Sequence, residues 1–251
     1  QDAITAMRPY ADKLTELLQG LSATLDADSG SKFSKQREVK NVLIVPITSN
    51  RGLCGAFNSN IIKQTQQLIS NDYAGKKVSI FAIGKKGNDA FAKKKIVVAN
   101  ESSVFDDLTF ENVADIAQVL MHKFVSAEYD KIVIVYNKFK NAATQIVKTE
   151  QFLPLAPITG GEVVSSDYIF EPSKEEIVLT LIPKSLKTQL YKSIRDSFAS
   201  EHGARMTAMH KATDNATELR NQLKLTYNKA RQAAITGEIL EIVGGAEALN
   251  N

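Results

Sequence analysis

One cysteine stands in the whole chain, Cys54, so no internal disulfide can form and no cysteine cluster can hold a metal. Long apolar runs are missing too. Val42-Leu43-Ile44-Val45 is typical, and none approaches the roughly 18 residues that a membrane-crossing helix needs. No excess of one charge sign exists. Lysines and arginines number 31 against 28 aspartates and glutamates, a net charge of +3, which makes no electrostatic case for nucleic-acid binding. The opening residues show no basic region followed by an apolar stretch, so they predict no secretory leader. They also lack an initiator Met, and from this we expect a mature protein or a fragment. Histidine is limited to His122, His202 and His210. The last two miss the i, i+4 spacing of a paired metal site, so no metal is expected.

What is present is ordinary for a globular chain: 251 residues, 43% hydrophobic and 24% charged. Three regions emerge. In the first, residues 1–27, the apolar positions Ile4, Met7, Ala11, Leu14, Leu18, Leu21 and Leu25 alternate spacings of three and four, the seam of a coiled coil. Pro9 predicts a kink or a fresh helix start there. A polar stretch with Ser29-Gly30-Ser31 reads as a linker.

The second region, residues 39–165, alternates strand and helix patterns. Residues 42–47, 78–83, 96–99 and 132–136 read as strands, and 58–70, 87–93 and 111–125 as helices. Ile132-Val133-Ile134-Val135 is apolar on both faces, as in a mostly parallel sheet covered on both sides. The fold class is therefore α/β, an open Rossmann-like sheet. Residues 145–155 suit an added edge strand, and Gly160-Gly161 and Pro172 mark a connector.

The third region, residues 173–251, reads as one long helix after an interruption at Pro183. Residues 185–249 contain no proline, and a helix of that span would be about 100 Å long. No domain built from the rest of the chain is wide enough to bury it. Its seam is Met209, Ala212, Ala216, Leu219, Leu223, Thr226, Ala230 and Ala233, rich in small residues that admit a close partner backbone. The N-terminal heptads are too short to cover it, so the seam predicts a missing partner helix or a partner protein. Ile235, Ile239, Leu240, Ile242 and Val243 add an apolar tip. Charge segregates along the helix: Arg220, Lys224, Lys229 and Arg231, then Glu238, Glu241 and Glu247, a pattern suited to a partner contact.

Candidate chemistry is thin. Residues 51–58, Arg-Gly-Leu-Cys-Gly-Ala-Phe-Asn, follow a strand and open a helix, as a phosphate-holding turn does. A P-loop needs Lys-Ser/Thr after its second glycine, and Ala-Phe follows here; the dinucleotide fingerprint needs a third glycine. A tight turn is the competing account. Gly84-Lys85-Lys86-Gly87 reads as a solvated turn, and Cys54 as a buried thiol rather than a nucleophile. No catalytic constellation is visible.

Two blocks carry a family resemblance. One is Ser49-Asn50-Arg51-Gly52-Leu53-Cys54-Gly55-Ala56-Phe57-Asn58. The other begins Ser200-Glu201-His202-Gly203-Ala204-Arg205-Met206-Thr207-Ala208-Met209 and continues through Tyr227-Asn228-Lys229-Ala230-Arg231-Gln232-Ala233-Ala234-Ile235-Thr236 to Glu238-Ile239-Leu240-Glu241-Ile242-Val243-Gly244-Gly245-Ala246. Across essentially the whole chain the sequence resembles the gamma subunits of F-type ATP synthases.

The resemblance implies a Rossmann-like domain inserted between the N- and C-terminal helices of an antiparallel coiled coil. It implies a non-catalytic central shaft inside an α3β3 ring, with the epsilon subunit and the membrane c-ring as further partners, no cofactor and no nucleic acid. The glycine turn then becomes structural. Arg205, Arg231, Gln232, Thr236, Glu238 and Glu241 match positions that touch the β subunits. Tyr168 and Glu171 match the base that meets the c-ring. Family members begin with a further stretch of helix, while this sequence starts near Ala6-Met7-Arg8-Pro9-Tyr10-Ala11. We therefore expect a truncated chain, whose open seam is the gap left by that helix. Without a transit peptide or a regulatory cysteine pair, the resemblance points to the cytoplasmic face of a bacterial inner membrane. Two rivals remain open on the residues alone: a nucleotide-binding enzyme using residues 52–55, and a coiled-coil scaffold for an unrelated helix.

Overall fold

The computed structural model describes Pro9, residues 32–155 and residues 174–249. The N-terminal heptads, the Gly160-Gly161 and Pro172 connector, and Tyr168 and Glu171 lie outside the described residues apart from Pro9. The elements run β1 (Asn41–Pro46), α1 (Phe57–Gln67), β2 (Lys77–Ala82), α2 (Lys85–Ala92), β3 (Val97–Asn100), α3 (Phe110–Val125), β4 (Lys131–Asn141), β5 (Thr144–Leu153) and α4 (Lys174–Leu249). The chain divides into two compact units, Gln1–Thr207 and Ala208–Asn251.

The sheet has the order β3-β2-β1-β4-β5. The first four strands are parallel, and β5 returns antiparallel along β4 at the edge. Apolar character on both faces of the strands explains the layering. Leu43, Val45, Ile47, Phe81, Ile83, Ile132, Ile134 and Tyr136 point into one core, with Val113, Leu120 and Phe124 of α3 and Ile182, Leu186, Leu190 and Ile194 of α4. Val42, Ile44, Ile80, Ala82 and Val135 point into the other, with Ile61 of α1 and Phe91 of α2. Alternate residues of one strand thus feed opposite cores, as the two-residue period requires. Thr109 starts α3 by accepting the amide of Asn112 at 3.3 Å.

The break expected at Pro183 does not occur, because α4 runs through it. A proline inside a helix forfeits a backbone hydrogen bond and costs about 3 kcal/mol. Ile182, Leu186, Leu190 and Ile194 are all buried against the sheet. At about 1.5–3 kcal/mol each, that burial outweighs the proline. β4 also extends past the expected residue 136 to Asn141, because its last residues pair with β5 even as their side chains become more exposed toward the strand's end.

Candidate functional site

In an open α/β sheet the place for a ligand is the crevice at the carboxyl ends of the strands where the strand order reverses. Here the order reverses at β1, which has β2 on one side and β4 on the other. The glycine turn after β1 lies at that point. The chain itself fills it. Cys54 and Phe57 from the turn and Ala204 from α4 form a small buried cluster. Asn137, at the far part of β4, donates its side-chain amide to the Phe57 carbonyl at 3.2 Å. Ser200 of α4 donates to the Asn137 carbonyl at 3.1 Å. Arg205 reaches the Gly52 carbonyl at 3.3 Å and holds Glu201 in an ion pair at 2.7 Å. The first unit therefore uses its switch point to seat α4.

The turn is self-supporting. Asn58 accepts the Ser49 amide at 2.9 Å and donates to the Ser49 hydroxyl at 2.7 Å, while that hydroxyl donates to the Arg51 carbonyl at 2.6 Å. Gly55 takes φ 56°, the left-handed conformation that glycine accepts readily. Cys54 is buried, its sulfur 3.2 Å from the Asn58 amide nitrogen, a packing position for a thiol. Gly84-Lys85-Lys86-Gly87 differs from the solvated turn expected of it. Lys85 and Lys86 open α2, and both glycines are buried. The Gly87 amide donates to the Thr48 hydroxyl at 2.8 Å. A Cβ on Gly84 would stand 2.1 Å from the Thr48 carbonyl oxygen.

Other contacts of α4 carry no sequence signal. Gly203 lets the helix approach the β4–β5 turn: a Cβ there would stand 3.0 Å from the Ala142 Cα. Thr207 donates to the Ala142 carbonyl at 3.3 Å. Tyr136 donates to Glu150 at 2.8 Å. Burial, then the neighbouring Glu150 and Asp196 charges, push the Tyr136 hydroxyl well above the ordinary tyrosine range.

The second unit offers surface rather than a pocket. Met209, Ala212, Ala216, Leu219, Leu223, Thr226, Ala230 and Ala233 all lie on the same helix and are all exposed. Leu223 keeps 60% of its surface accessible and Ile242 keeps 72%. Ile235, Ile239, Leu240 and Val243 are similarly open. Arg231, Gln232, Thr236, Glu238 and Glu241 are exposed beside them, and no ion pair among the described residues uses these charges. Arg205, grouped with them by resemblance, lies in the first unit, bound to Glu201 and Gly52. The exposed Leu219, Leu223, Ile235, Ile239, Leu240, Ile242 and Val243 form an apolar surface of the kind that marks a site of interaction with another protein.

Comparison with known proteins follows the same line. A family model described as ATP synthase matches residues 1–249. The ATP synthase gamma chain of Flavobacterium psychrophilum is 77% identical over 250 residues, covering 99% of this chain and 87% of that one. The gamma chain of Flavobacterium johnsoniae is 74% identical, covering 100% of this chain and 87% of its own length. Among solved structures, a chain of the Euglena gracilis mitochondrial ATP synthase OSCP/F1/c-ring assembly aligns at a TM-score of 0.65 and 21% identity, covering 99% of this chain and 92% of that one. A chain of the Tetrahymena thermophila central stalk/c-ring structure aligns at 0.55 and 23% identity, covering 84% and 99%. These two likenesses concern the fold.

Proposed function

The chain belongs to the ATP synthase gamma chain family, and on that premise we propose that it is the non-catalytic central shaft of a rotary ATP synthase. The observation that carries this reading is the long helix whose second-unit part is exposed along its apolar seam. Its partners are the α and β subunits around the helix, and the epsilon subunit and c-ring at the base. Turning of the c-ring turns the shaft. Each β site then meets a different side of one asymmetric helix. A ligand or partner shifts a conformational equilibrium only by its differential contact with the two states, and the asymmetry supplies that difference.

Residue roles follow from the family resemblance, and exposure is compatible with them in the second unit. Arg231, Gln232, Thr236, Glu238 and Glu241 face outward and touch β subunits. Exposed ion pairs contribute only about 0.2–1 kcal/mol, so such contacts form and release as the shaft passes from one subunit to the next. Arg205, which also reaches the Gly52 carbonyl, is a further β-subunit contact. The seam residues Met209, Ala212, Ala216, Leu219, Leu223, Ala230 and Ala233 accept a second helix. Tyr168 and Glu171 belong to the base that meets the c-ring. The catalytic chemistry lies in the β subunits, and the α/β unit here is a structural foot. Among the described residues no helix is long and apolar enough to cross a membrane. The chain is a peripheral part of a membrane-bound complex, at the cytoplasmic face of a bacterial inner membrane.

Native mass spectrometry of this chain mixed with ATP synthase α and β subunits tests the assembly. The shaft reading predicts one copy per α3β3 ring. A chain that stays free, or enters in several copies, contradicts it.

A further inference from the structure

The last turns of α4 inside the first unit are held differently from those before them. Up to Ile194 the helix is seated by an apolar stripe, Ile182, Leu186, Leu190 and Ile194, buried against the sheet. Hydrophobic contact has no direction of its own, so it resists separation more than it fixes an angle. From Ser200 to Thr207 the contacts become directional. The Ser200 hydroxyl donates to the Asn137 carbonyl at 3.1 Å, the Arg205 guanidinium to the Gly52 carbonyl at 3.3 Å and the Thr207 hydroxyl to the Ala142 carbonyl at 3.3 Å. Those carbonyls belong to different segments: β4, the turn after β1 and the β4–β5 turn.

These contacts come from around the helix rather than from one side. Successive helical residues point about 100° apart. Gly203 meets the β4–β5 turn so closely that a Cβ would stand 3.0 Å from both the Ala142 Cα and the Ala142 carbonyl oxygen. Ala204 packs with Cys54 and Phe57. Arg205 reaches Gly52 and is braced by Glu201 at 2.7 Å. Residues 203, 204 and 205 thus address successive directions, about 200° from first to last. Asn137 ties the segments together. It is buried, its carbonyl accepts from Ser200, and its side-chain amide donates to the Phe57 carbonyl at 3.2 Å. Close packing alone accounts for Gly203 and Ala204. It does not call for Ser200, Arg205 and Thr207 each to aim a donor at a main-chain carbonyl of another segment.

We infer that residues 200–207 form a collar that sets the angle of α4 against the sheet, with Ser200, Gly203 and Thr207 as positioning residues for the transfer of torque; this rests on the shaft reading. α4 continues unbroken past Thr207 into the second unit. A twist that enters the first unit is passed on along this helix, and its angle is set where the first unit last holds it. Main-chain carbonyls suit the task, because each moves only with the strand or turn that carries it. A hydrogen bond weakens steeply once its donor swings out of line, so each bond resists a turn of the helix in its socket. Bonds spread around the helix resist both senses of rotation.

The angular play of a gold rod on the first unit tests the inference. The rod is fixed through Lys93→Cys, the α3β3 complex containing this chain is anchored to glass, and the rod is followed while ATP is withheld. With the far part of the helix held by the ring, the rod reports how firmly the first unit grips it. Thr207→Val removes the bond to Ala142 without added bulk, and Gly203→Val presses on the same turn. Both are expected to widen the angular spread of the halted rod. Thr213→Val makes the same chemical change further along, where the hydroxyl bonds the Met209 carbonyl of its own helix, and is expected to keep the native spread. A native spread in Thr207→Val overturns the inference, and that variant decides by itself if Gly203→Val fails to enter the complex. Equal widening in Thr213→Val also overturns it, because the helix itself is then the compliant part. A rod on the native chain that never rotates when ATP is supplied overturns the shaft reading, and this inference with it.

Discussion

Single residues at the carboxyl ends of β1, β2 and β4 decide whether the first unit closes. Gly84 has φ 99°, and a Cβ there would fall 2.1 Å from the Thr48 carbonyl oxygen. Gly84→Ala should therefore destabilise the unit by about 2 kcal/mol or more, seen as a lower denaturant midpoint. An unchanged midpoint would refute the close approach. Tyr136 makes a pH-dependent prediction. Its hydroxyl is held above the ordinary value by burial first and by Glu150 second. Raised in the folded state, it favours folding fully below the unfolded value of about 10. As pH rises further, the unfolded chain loses this proton while the folded chain keeps it, so stability falls. Tyr136→Phe should cost about 1 kcal/mol at neutral pH, less than a fully buried bond to a charge because Glu150 is partly open to water. The deficit should shrink above pH 10 in denaturation curves taken at several pH values. The glycines of the turn after β1, Gly52 and Gly55, were visible in the sequence, but what packs against that turn was not. Nothing in a linear pattern places Ala204 or Asn137 against Phe57.

At the scale of elements, legibility followed the strength of the periodic signal. The strands with two apolar faces were readable because burial on both sides leaves no alternation to misread. The edge strand β5 was readable from its flanking prolines. β4 was cut short in the sequence reading because Lys138 and Lys140 mimic a loop, while pairing with β5 keeps the backbone extended. Pro183 misled for the opposite reason. A strong local rule yielded to tertiary burial of Ile182 and Leu186. Gly203 shows the same limit: its helix-weakening cost of about 1 kcal/mol was legible, but its use against Ala142 was not. The far part of α4 is the element on which the proposed shaft role rests. Ile239 is more than half exposed there. Ile239→Asp should leave the free chain folded but weaken capture by α3β3 about tenfold or more, since a buried isoleucine contributes about 1.5–3 kcal/mol. Titration with α and β subunits measures this; unchanged capture would mean that the apolar tip is not enclosed.

At the scale of the whole molecule, the sequence resemblance carried more of the function than the physics of any site. Composition, spacing and an incomplete glycine motif left a scaffold and a nucleotide enzyme both standing. The switch point filled by Cys54, Phe57 and Ala204 weakens the enzyme reading on structural grounds. The kinship with gamma chains weakens the unrelated scaffold. The residue contacts to β, epsilon and the c-ring depend on other chains and are written in no intramolecular distance. The central claim is that this chain turns, and one measurement addresses it directly. A gold rod is fixed to this chain through Lys93→Cys, and the α3β3 complex is anchored to glass and given ATP. The account predicts stepwise rotation in one direction that stops when ATP is removed. ATP hydrolysis by the same anchored complexes with a motionless rod would contradict it.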